Sequence, residues 1–501
     1  MADAPGGDGH VEDHAGASLG GELRPPAERL AGTLDLARGR RLHVTNVGGA
    51  GMSAVAALLA ESGHRVSGHD PAESTPFLPM LRSLGVDVST GGAPPPLAAD
   101  VEAVIVSTAT PDDDGDVVAA RGRSLPVLHR AAALAALCAQ RATVAVAGTH
   151  GKTTTSALLT TVLVGSGRDP GWVVGAAISH LGRSAAWGGG GPLVVEADES
   201  DGTFLALGAD CAVVTNVEPD HLENWGGEVA LRDGFRRFVA ALSGPAVLCA
   251  DDPGARELAG SAKEPVTYGL DDAADFRVVE PTPAGTGVRF ALHHAGERVD
   301  VTVPAAPGVH NATNAAGALA VAHTLGVPLA DGAAALSAFA GVARRFELRG
   351  EADGVTVVDS YDHLPTEVAA ALAAAAWGPW HRVVAVFQPH RYSRTAALWR
   401  DFAHAFRDAD LLAVTDVYPA GEAPRPGVSG KLVVDAVLDA HPWAHVAWLP
   451  GLDDVLAWLR SVLRPGDLCL TLGAGDLTSL APRILEVLEA REGREGREAH
   501  A

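Results

Sequence analysis

The sequence predicts an α/β protein built as three consecutive parallel-sheet domains. Three observations lead there. Short apolar runs that read as buried strands alternate with Ala-rich helical stretches over most of the chain. Glycine turns join strand to helix at residues 48–51 and 148–151. Polar and acidic clusters follow several strands directly, at the strand ends where open α/β sheets gather their ligands. A chain of 501 residues has ample length for several cores.

Residues 1–38 are rich in Gly, Ala, Pro and acidic side chains without an apolar period, and are expected to form a disordered leader. The first domain is expected over 39–140. Residues 42–47 read as a strand, 48–51 as a turn and 52–60 as a helix, with further strands at 64–68 and 101–107. Gly48, Gly49 and Gly51 stand in a dinucleotide-type turn, with Asn46 where the first glycine would be. Asn tolerates positive φ better than any other side-chain-bearing residue. Asp70 falls where an acid would meet a ribose hydroxyl. A tight connection that binds nothing accounts for the same residues.

The second domain is expected over 141–343. The apolar run 142–147 leads into Gly148, Thr149, His150, Gly151, Lys152, Thr153 and Thr154, and a helical pattern follows over 156–164. Strand, glycine turn and helix N-terminus together make a phosphate cradle, because backbone N–H groups and the helix end both favour an anion. Lys152 is placed to reach terminal phosphates and the Thr153 hydroxyl to ligate Mg2+. Val146 occupies the position of the usual first glycine. The loop predicts ATP binding. Strands at 193–196, 211–216 and 246–250 follow, then antiparallel hairpins over 276–303 and a helix at 311–325.

Two of these strands run into acids. Residues 196–201 begin with Glu196 and carry four carboxylates, which suit Mg2+ beside phosphate; residues 215–221 end on Asp220 and His221. Solvated acidic loops are the alternative for each run taken singly. His310, Asn311 and Asn314 open the next helix, either as caps or as ligand contacts. Arg344 and Arg345 mark a domain boundary and form a solvated face unless an anion lies between the domains.

The third domain is expected over 344–490, with strands at 355–359, 383–387, 411–414 and 468–471, and a disordered tail over 491–501. Asp359 ends one strand and is followed by Tyr361 and His363. After the next strand come His390, Arg391 and Arg394, apt for binding a carboxylate through paired donors or simply a surface loop.

Composition narrows the function. Hydrophobic residues make up 47% and charged residues 20%, a globular balance. The net charge of −23 argues against nucleic acid or an anionic membrane as partner. An anionic substrate must then be held by local cations, each worth about 4 kcal/mol at 4 Å and an effective dielectric near 20. The four cysteines are far apart and read as buried thiols. No basic segment precedes an apolar one at the start, and no run approaches ~20 apolar residues, so a cytoplasmic protein is expected.

Taken together, the runs 148–155, 196–201, 215–221, 388–391 and 417–422 resemble the Mur ligases, over nearly all of the chain from about residue 41 to 490. The acidic run and the histidine-arginine run favour the alanine-adding branch. The resemblance implies a Rossmann-like N-terminal domain, a central P-loop ATPase-like domain and a Rossmann-like C-terminal domain. It implies ATP-dependent joining of L-alanine to the lactyl carboxylate of UDP-N-acetylmuramate through an acyl phosphate, with Mg2+, by a monomer or weak homodimer. On that resemblance Lys152 stabilises the transferred phosphoryl group, and Thr153 and Glu196 hold one Mg2+. His221 faces a second metal, and His310, Asn311 and Asn314 meet the nucleotide. Arg345 and Asp359 approach phosphates and ribose after domain closure. Tyr361, His363, Arg391 and Arg394 surround the amino acid, and Gly48, Gly49, Gly51, Asp70 and Ser107 form the uridine-diphosphate end.

The chain departs from the family pattern at Asn46, at Ser360 in place of an Asp, at Asp362 in place of Gly or Ala, and at Leu364 in place of a His. These changes leave the phosphate chemistry untouched and bear on the amino-acid and sugar ends. They also motivate two alternatives: a paralogue with altered amino-acid specificity, and a UDP-sugar-binding regulator that does not ligate. A nicotinamide-dependent oxidoreductase would explain the 48–51 turn and Asp70 but leaves the second domain without a role.

Overall fold

The computed structural model describes residues 33–220 and 222–498. Most of the expected leader lies outside the described residues, as does His221. The described residues form three sheets.

In the first sheet β1 (Arg41–Thr45) is central, flanked by β2 (Arg65–Asp70) and β4 (Ala103–Val106), with β3 (Asp87–Thr90) and β5 (Val127–His129) at the edges. All pairings are parallel. The strand order reverses beside β1, so the turn at 48–51 opens at the switch point of the sheet.

The second sheet is centred on β6 (Thr143–Ala147), with β9 (Leu193–Glu196) on one side and β10 (Cys211–Val214) on the other. Both neighbours are parallel to it. Three loops therefore leave the same edge side by side: the phosphate loop, the acidic run and the run that begins at Thr215. Outward from β10 lie β11 (Ala246–Cys249), β12 (Pro265–Gly269), β13 (Phe276–Ala284), β14 (Gly287–His294) and β15 (Glu297–Val303). The last three pair antiparallel, as the alternation over 276–303 predicts. Outward from β9 lie β7 (Gly171–Ile178) and β8 (Arg183–Ala186), a pair without a clear period in the sequence. β6, β10 and β11 are buried throughout because helices cover both faces, which is why they read as continuous apolar runs.

The third sheet runs in the order β16 (Glu347–Ala352), β17 (Val355–Ser360), β21 (Asp467–Leu472), β18 (Arg382–Phe387), β19 (Leu411–Val414), β20 (Val446–Trp448). Only the β16–β17 pair is antiparallel.

One apolar core runs through the first two sheets, from Leu36 to Val342, whereas the third sheet keeps cores of its own on its two faces. The helix Ala50–Glu61 joins the first two domains: Glu61 accepts hydrogen bonds from Arg183 Nη2 at 2.6 Å and Trp187 N at 2.8 Å. The third domain is reached through a short link in which Val342 bridges both Ile178 and Arg345. The final helix spans Leu480–Glu498, past the boundary expected at 490. Arg491 explains the difference, since it pairs with Asp353 and donates to the Leu463 carbonyl at 2.8 Å.

Candidate active site

β6 ends at Ala147 and the chain turns at once. Val146 lies inside the strand, opposite Glu196 and Val213, so the loop begins only at Gly148 and a glycine two residues earlier has nothing to do. Gly148 has φ of 132°, and a Cβ there would come 2.1 Å from Thr215 Oγ1. Gly151 has φ of 82° and caps the helix Lys152–Gly165. The end of β10 clamps the loop. Asn216 Oδ1 accepts from His150 N at 2.8 Å, and Thr215 Oγ1 donates to His150 O at 2.6 Å. Thr215 and Asn216 thus hold the phosphate loop in shape, a role their sequence does not announce.

Lys152 Nζ donates to the carbonyls of Gly148 at 2.6 Å and Thr149 at 3.0 Å, and lies 2.8 Å from Glu199 Oε2. Glu199 is almost completely buried, and that burial raises its carboxyl above the usual range against the opposing charge of Lys152. Thr153 Oγ1 donates to Glu196 Oε1 at 2.8 Å, and Gly175 N donates to Glu196 Oε2 at 2.5 Å. A hydroxyl and a carboxylate side by side are the hard oxygen donors a divalent cation takes.

The helix Val309–Thr324 brings Asn311 and Asn314 to the same cavity. Asn311 Nδ2 donates to Pro307 O at 2.7 Å and Asn314 Nδ2 to Asn311 Oδ1 at 3.1 Å. The cavity, of about 350 Å³, is lined from the second domain by Lys152, Thr153, Glu196, His310, Asn311 and Asn314. From the third domain it is lined by Arg345, Ser360, Asp362 and Glu367 among others.

Asp359 is absent from that lining, whereas the resemblance brings it to the ribose after domain closure. It is fully buried, with Oδ1 accepting from Thr471 at 2.6 Å and Oδ2 from Thr478 at 2.7 Å, and Arg344 Nε stands 3.4 Å away. It braces the third domain from behind the cavity wall. In its stead Asp362 faces the cavity. Ser360 Oγ donates to Asp362 Oδ2 at 2.5 Å, and Arg345 Nη1 lies 3.7 Å from Oδ1. Burial pushes this carboxyl up to about 6, against Ser360 and Arg345.

Tyr361 lies under Arg344 and Arg345, whose guanidinium carbons stand 5.0 and 5.8 Å from its ring centre. Behind it the rings of His363 and His390 meet at 5.5 Å, and Tyr418 stacks on His390 at 5.7 Å. Arg394 Nη1 lies 3.3 Å from His390 Nδ1. Burial and the charges of His363, Arg394 and Arg391 push His390 down to about 4. Burial also lowers His363, with Glu367 opposing. Arg391 caps the helix Tyr392–Leu398 with φ of 68°, and Glu422 accepts from Ser393 N at 2.8 Å.

In the first domain Asn46 adopts φ of 49°, the left-handed turn its identity permits. Asp70 is buried; its Oδ2 accepts from Gly48 N at 2.8 Å and its Oδ1 from Ala72 N at 2.9 Å. Both oxygens hold the turn. Ser107 is half-buried and bonded to Thr110. Arg130, at the start of the helix Arg130–Cys138, reaches across to Asp201 and Asp198 of the acidic run.

Three family models match the chain in succession: the Mur ligase family catalytic domain over residues 41–142, the Mur ligase middle domain over 146–322, and the Mur ligase glutamate ligase domain over 344–475. The chain belongs to the Mur ligase family.

The UDP-N-acetylmuramate–L-alanine ligase of Geobacter sp. (strain M21) is 42% identical to this Mur ligase over 449 residues, 89% of this chain and 97% of that protein. The protein of the same name from Thermobifida fusca (strain YX) is 44% identical over 460 residues, 89% and 96% of the two chains. Among solved structures, the UDP-N-acetylmuramate–alanine ligase of Thermotoga maritima superposes with a TM-score of 0.76 at 27% identity, covering 90% of this chain and 99% of its own. The MurF ligase of Thermotoga maritima in complex with ADP shares the fold, with a TM-score of 0.55 and 19% identity.

In this Mur ligase the sequence pattern pointed at Lys152, Thr153, Glu196, Asn311, Asn314 and Arg345, which one cavity brings together. It did not single out Asp362 or Arg130 as site residues, and it offered Glu199 only within the acidic run and His390 only beside the paired arginines. Asp362 carried a signal, its departure from the family pattern; Arg130 carried none, because its partners lie some seventy residues away.

Proposed function

We propose that this Mur ligase joins L-alanine to the lactyl carboxylate of UDP-N-acetylmuramate, cleaving ATP to ADP and phosphate, in peptidoglycan precursor synthesis. The observation that carries the reading is the similarity along nearly the full chain, at 42% and 44% identity, to two proteins named for that reaction. The cavity shared by the second and third domains supplies a place for it.

A carboxylate is a poor electrophile, and the chemistry answers this in two steps. A lactyl carboxylate oxygen attacks the γ-phosphorus and the bond to ADP breaks. The amine of L-alanine then attacks the acyl carbon, phosphate leaves with the C–O pair, and the amine gives up a proton. The protein contributes positioning and charge neutralisation. Lys152 turns from Glu199 to the transferred phosphoryl group, and Arg345 closes on the same charge from the third domain. Gly148, Thr149, His150, Gly151 and Thr154 cradle the phosphates, and His310, Asn311 and Asn314 hold the nucleoside end.

Magnesium fits beside this loop. Thr153 and Glu196 would hold it, and among the described residues no group of three or more His, Cys, Asp or Glu side chains forms a closed site. Such a half-open pair suits an ion that keeps phosphate and water ligands, and it would neutralise charge on the terminal phosphates. His221 is assigned to a second metal and the sugar carboxylate.

The neutral His363 and His390, with Tyr361, Arg391 and Arg394, receive the amino acid: the arginines take its carboxylate while uncharged imidazoles leave the amine free to lose its proton. Gly48, Gly49, Gly51 and Ser107 take the uridine diphosphate, and Asp70 keeps their turn in shape. Asp362 and Ser360 favour a second reading of this end, an amino-acid preference shifted from L-alanine. Among the described residues no helix is long and apolar enough to cross a membrane. We place the reaction in the cytoplasm, where its nucleotide substrates are.

The test is ADP release with ATP, Mg2+ and UDP-N-acetylmuramate against L-Ala, Gly and L-Ser. Release that needs both the UDP-sugar and L-Ala supports the proposal. A stronger response to Gly or L-Ser selects the altered specificity, and no response to any of the three defeats the ligase reading.

A further inference from the structure

The loop that follows β9 makes three separate grips within six residues. Glu196 accepts from Thr153, Glu199 holds Lys152, and Asp198 and Asp201 hold Arg130. The first two grips lie on the phosphate cradle. The third belongs to the other end of the cleft.

Arg130 Nη2 lies 2.7 Å from Asp201 Oδ2 and 3.2 Å from Asp198 Oδ2. Its Nη1 stands 2.9 Å from where a Cβ on Gly51 would be, so the guanidinium rests against the glycine turn of the first domain. Thr108 Oγ1 adds a weaker tie, 3.5 Å from the same Asp201 oxygen and 3.0 Å from His129 Nε2. The pair is largely enclosed, with side-chain exposures of 23% for Arg130 and 8% for Asp201. Burial alone would raise the Asp201 carboxyl; Arg130 and Thr203 hold it below the usual range. Between the two carboxylates on Arg130 sits Glu199, whose backbone carbonyl is fixed by Trp225 Nε1 at 3.0 Å.

We infer that Arg130 is a positioning residue that couples occupation of the UDP-sugar end to the state of Lys152. The inference rests on the proposed function. Two arrangements of the loop are in play. In one, seen here, Arg130 is satisfied by Asp198 and Asp201, and Glu199 keeps Lys152. In the other, an anionic diphosphate at the glycine turn competes for the guanidinium, the two aspartates let go, and the loop carries Glu199 away from Lys152. The lysine then turns to the nucleotide. Arginine suits the task because its fixed fork can exchange one pair of oxygen acceptors for another. Linkage makes the effect reciprocal, so each ligand tightens the other by the same factor.

The experiment is calorimetric titration of the full chain with a non-hydrolysable ATP analogue and Mg2+, with and without saturating UDP-N-acetylmuramate. In the unmodified protein the UDP-sugar should tighten nucleotide binding, by roughly 5- to 150-fold. Asp201→Asn, at a residue assigned no ligand contact, should bring that ratio close to one while nucleotide still binds. Arg130→Gln should do the same and also weaken the UDP-sugar, with Arg130→Lys intermediate. A variant that merely misfolds would lose both ligands rather than their coupling, and Asp201→Asn decides if Arg130→Gln does not fold. A ratio of one in the unmodified protein, or an unchanged ratio in Asp201→Asn, overturns the inference. If UDP-N-acetylmuramate fails to bind the unmodified protein, the proposed function itself falls and takes the coupling with it.

Discussion

Lys152 is held 2.8 Å from a carboxylate, Glu199, that is only 2% exposed. The cation expected to meet phosphate is therefore already paired before any nucleotide arrives. The carbonyls of Gly148 and Thr149 share the ammonium with that carboxylate and keep it in place. Under the proposed function, its release accompanies nucleotide binding.

Under the proposed function, replacing Lys152 by Ala removes a charge that acts chiefly on the transferring phosphoryl group. The kcat for ADP release should fall by roughly 100- to 1000-fold, in line with the loss of a preorganised electrostatic contact. The Kd for UDP-N-acetylmuramate, measured by calorimetry, should not weaken, and the inferred coupling has it tighten, because the Lys152–Glu199 pair no longer opposes movement of the loop. Retained turnover would remove Lys152 from the mechanism.

Asp362 makes the fold sensitive to pH in an unusual direction. Its folded carboxyl is pushed up to about 6 from 3.8, so between those values the native state keeps a proton the unfolded chain has lost. Stability from this group is thus present at low pH and declines as pH rises through the window. At about 1.4 kcal/mol per unit, the loss is at most about 3 kcal/mol. Asp362→Asn should gain that much relative to the parent when urea unfolding is compared at pH 7 and pH 4. An equal difference at both values would show an ordinary carboxylate.

His390 works the opposite way. With its folded value pushed down to about 4, the ring stays neutral while an unfolded histidine protonates near 6.5. Its contribution to stability is complete above 6.5 and is lost as pH falls toward 4. The ring proton resonance, assigned by comparison with His390→Gln, should be flat between pH 7 and 5.5. A midpoint near 6.5 would place the ring in solvent.

All four cysteines are buried and free, and burial pushes Cys138, Cys211 and Cys469 up to about 12 and Cys249 to about 11. Because the thiolate is the reactive species, the native protein should not react with a disulfide reagent at pH 8, and the denatured chain should react four times. A fast native thiol would reveal local opening.

Much of this was legible because the backbone leaves the sequence little choice. Gly148 and Gly151 must be glycine where a side chain would strike Thr215 or Asn314, and such constraints stand out in one chain. Continuous apolar runs gave β6, β10 and β11 because both sheet faces are covered. Carboxylates were harder. Asp70 and Asp359 look from the sequence like ligand contacts, yet their oxygens are used internally on Gly48 N, Thr471 and Thr478. An acid at a strand end can brace a turn as readily as a substrate, and only the third dimension tells which. The pairing of Arg130 with Asp201 crosses a domain boundary, so no local pattern records it. β7 and β8 escaped notice because β7 does not alternate cleanly and β8 is a short, mostly buried run of four residues.

The separate interior of the third domain has a thermal consequence. Its buried apolar clusters are its own, apart from Trp377, which packs on the large cluster that the first two domains share. Heated in a scanning calorimeter without ligands, the chain should absorb heat in two steps, since each interior can melt without dragging the other along. Nucleotide and Mg2+, which under the proposed function touch both bodies, should draw the two peaks together.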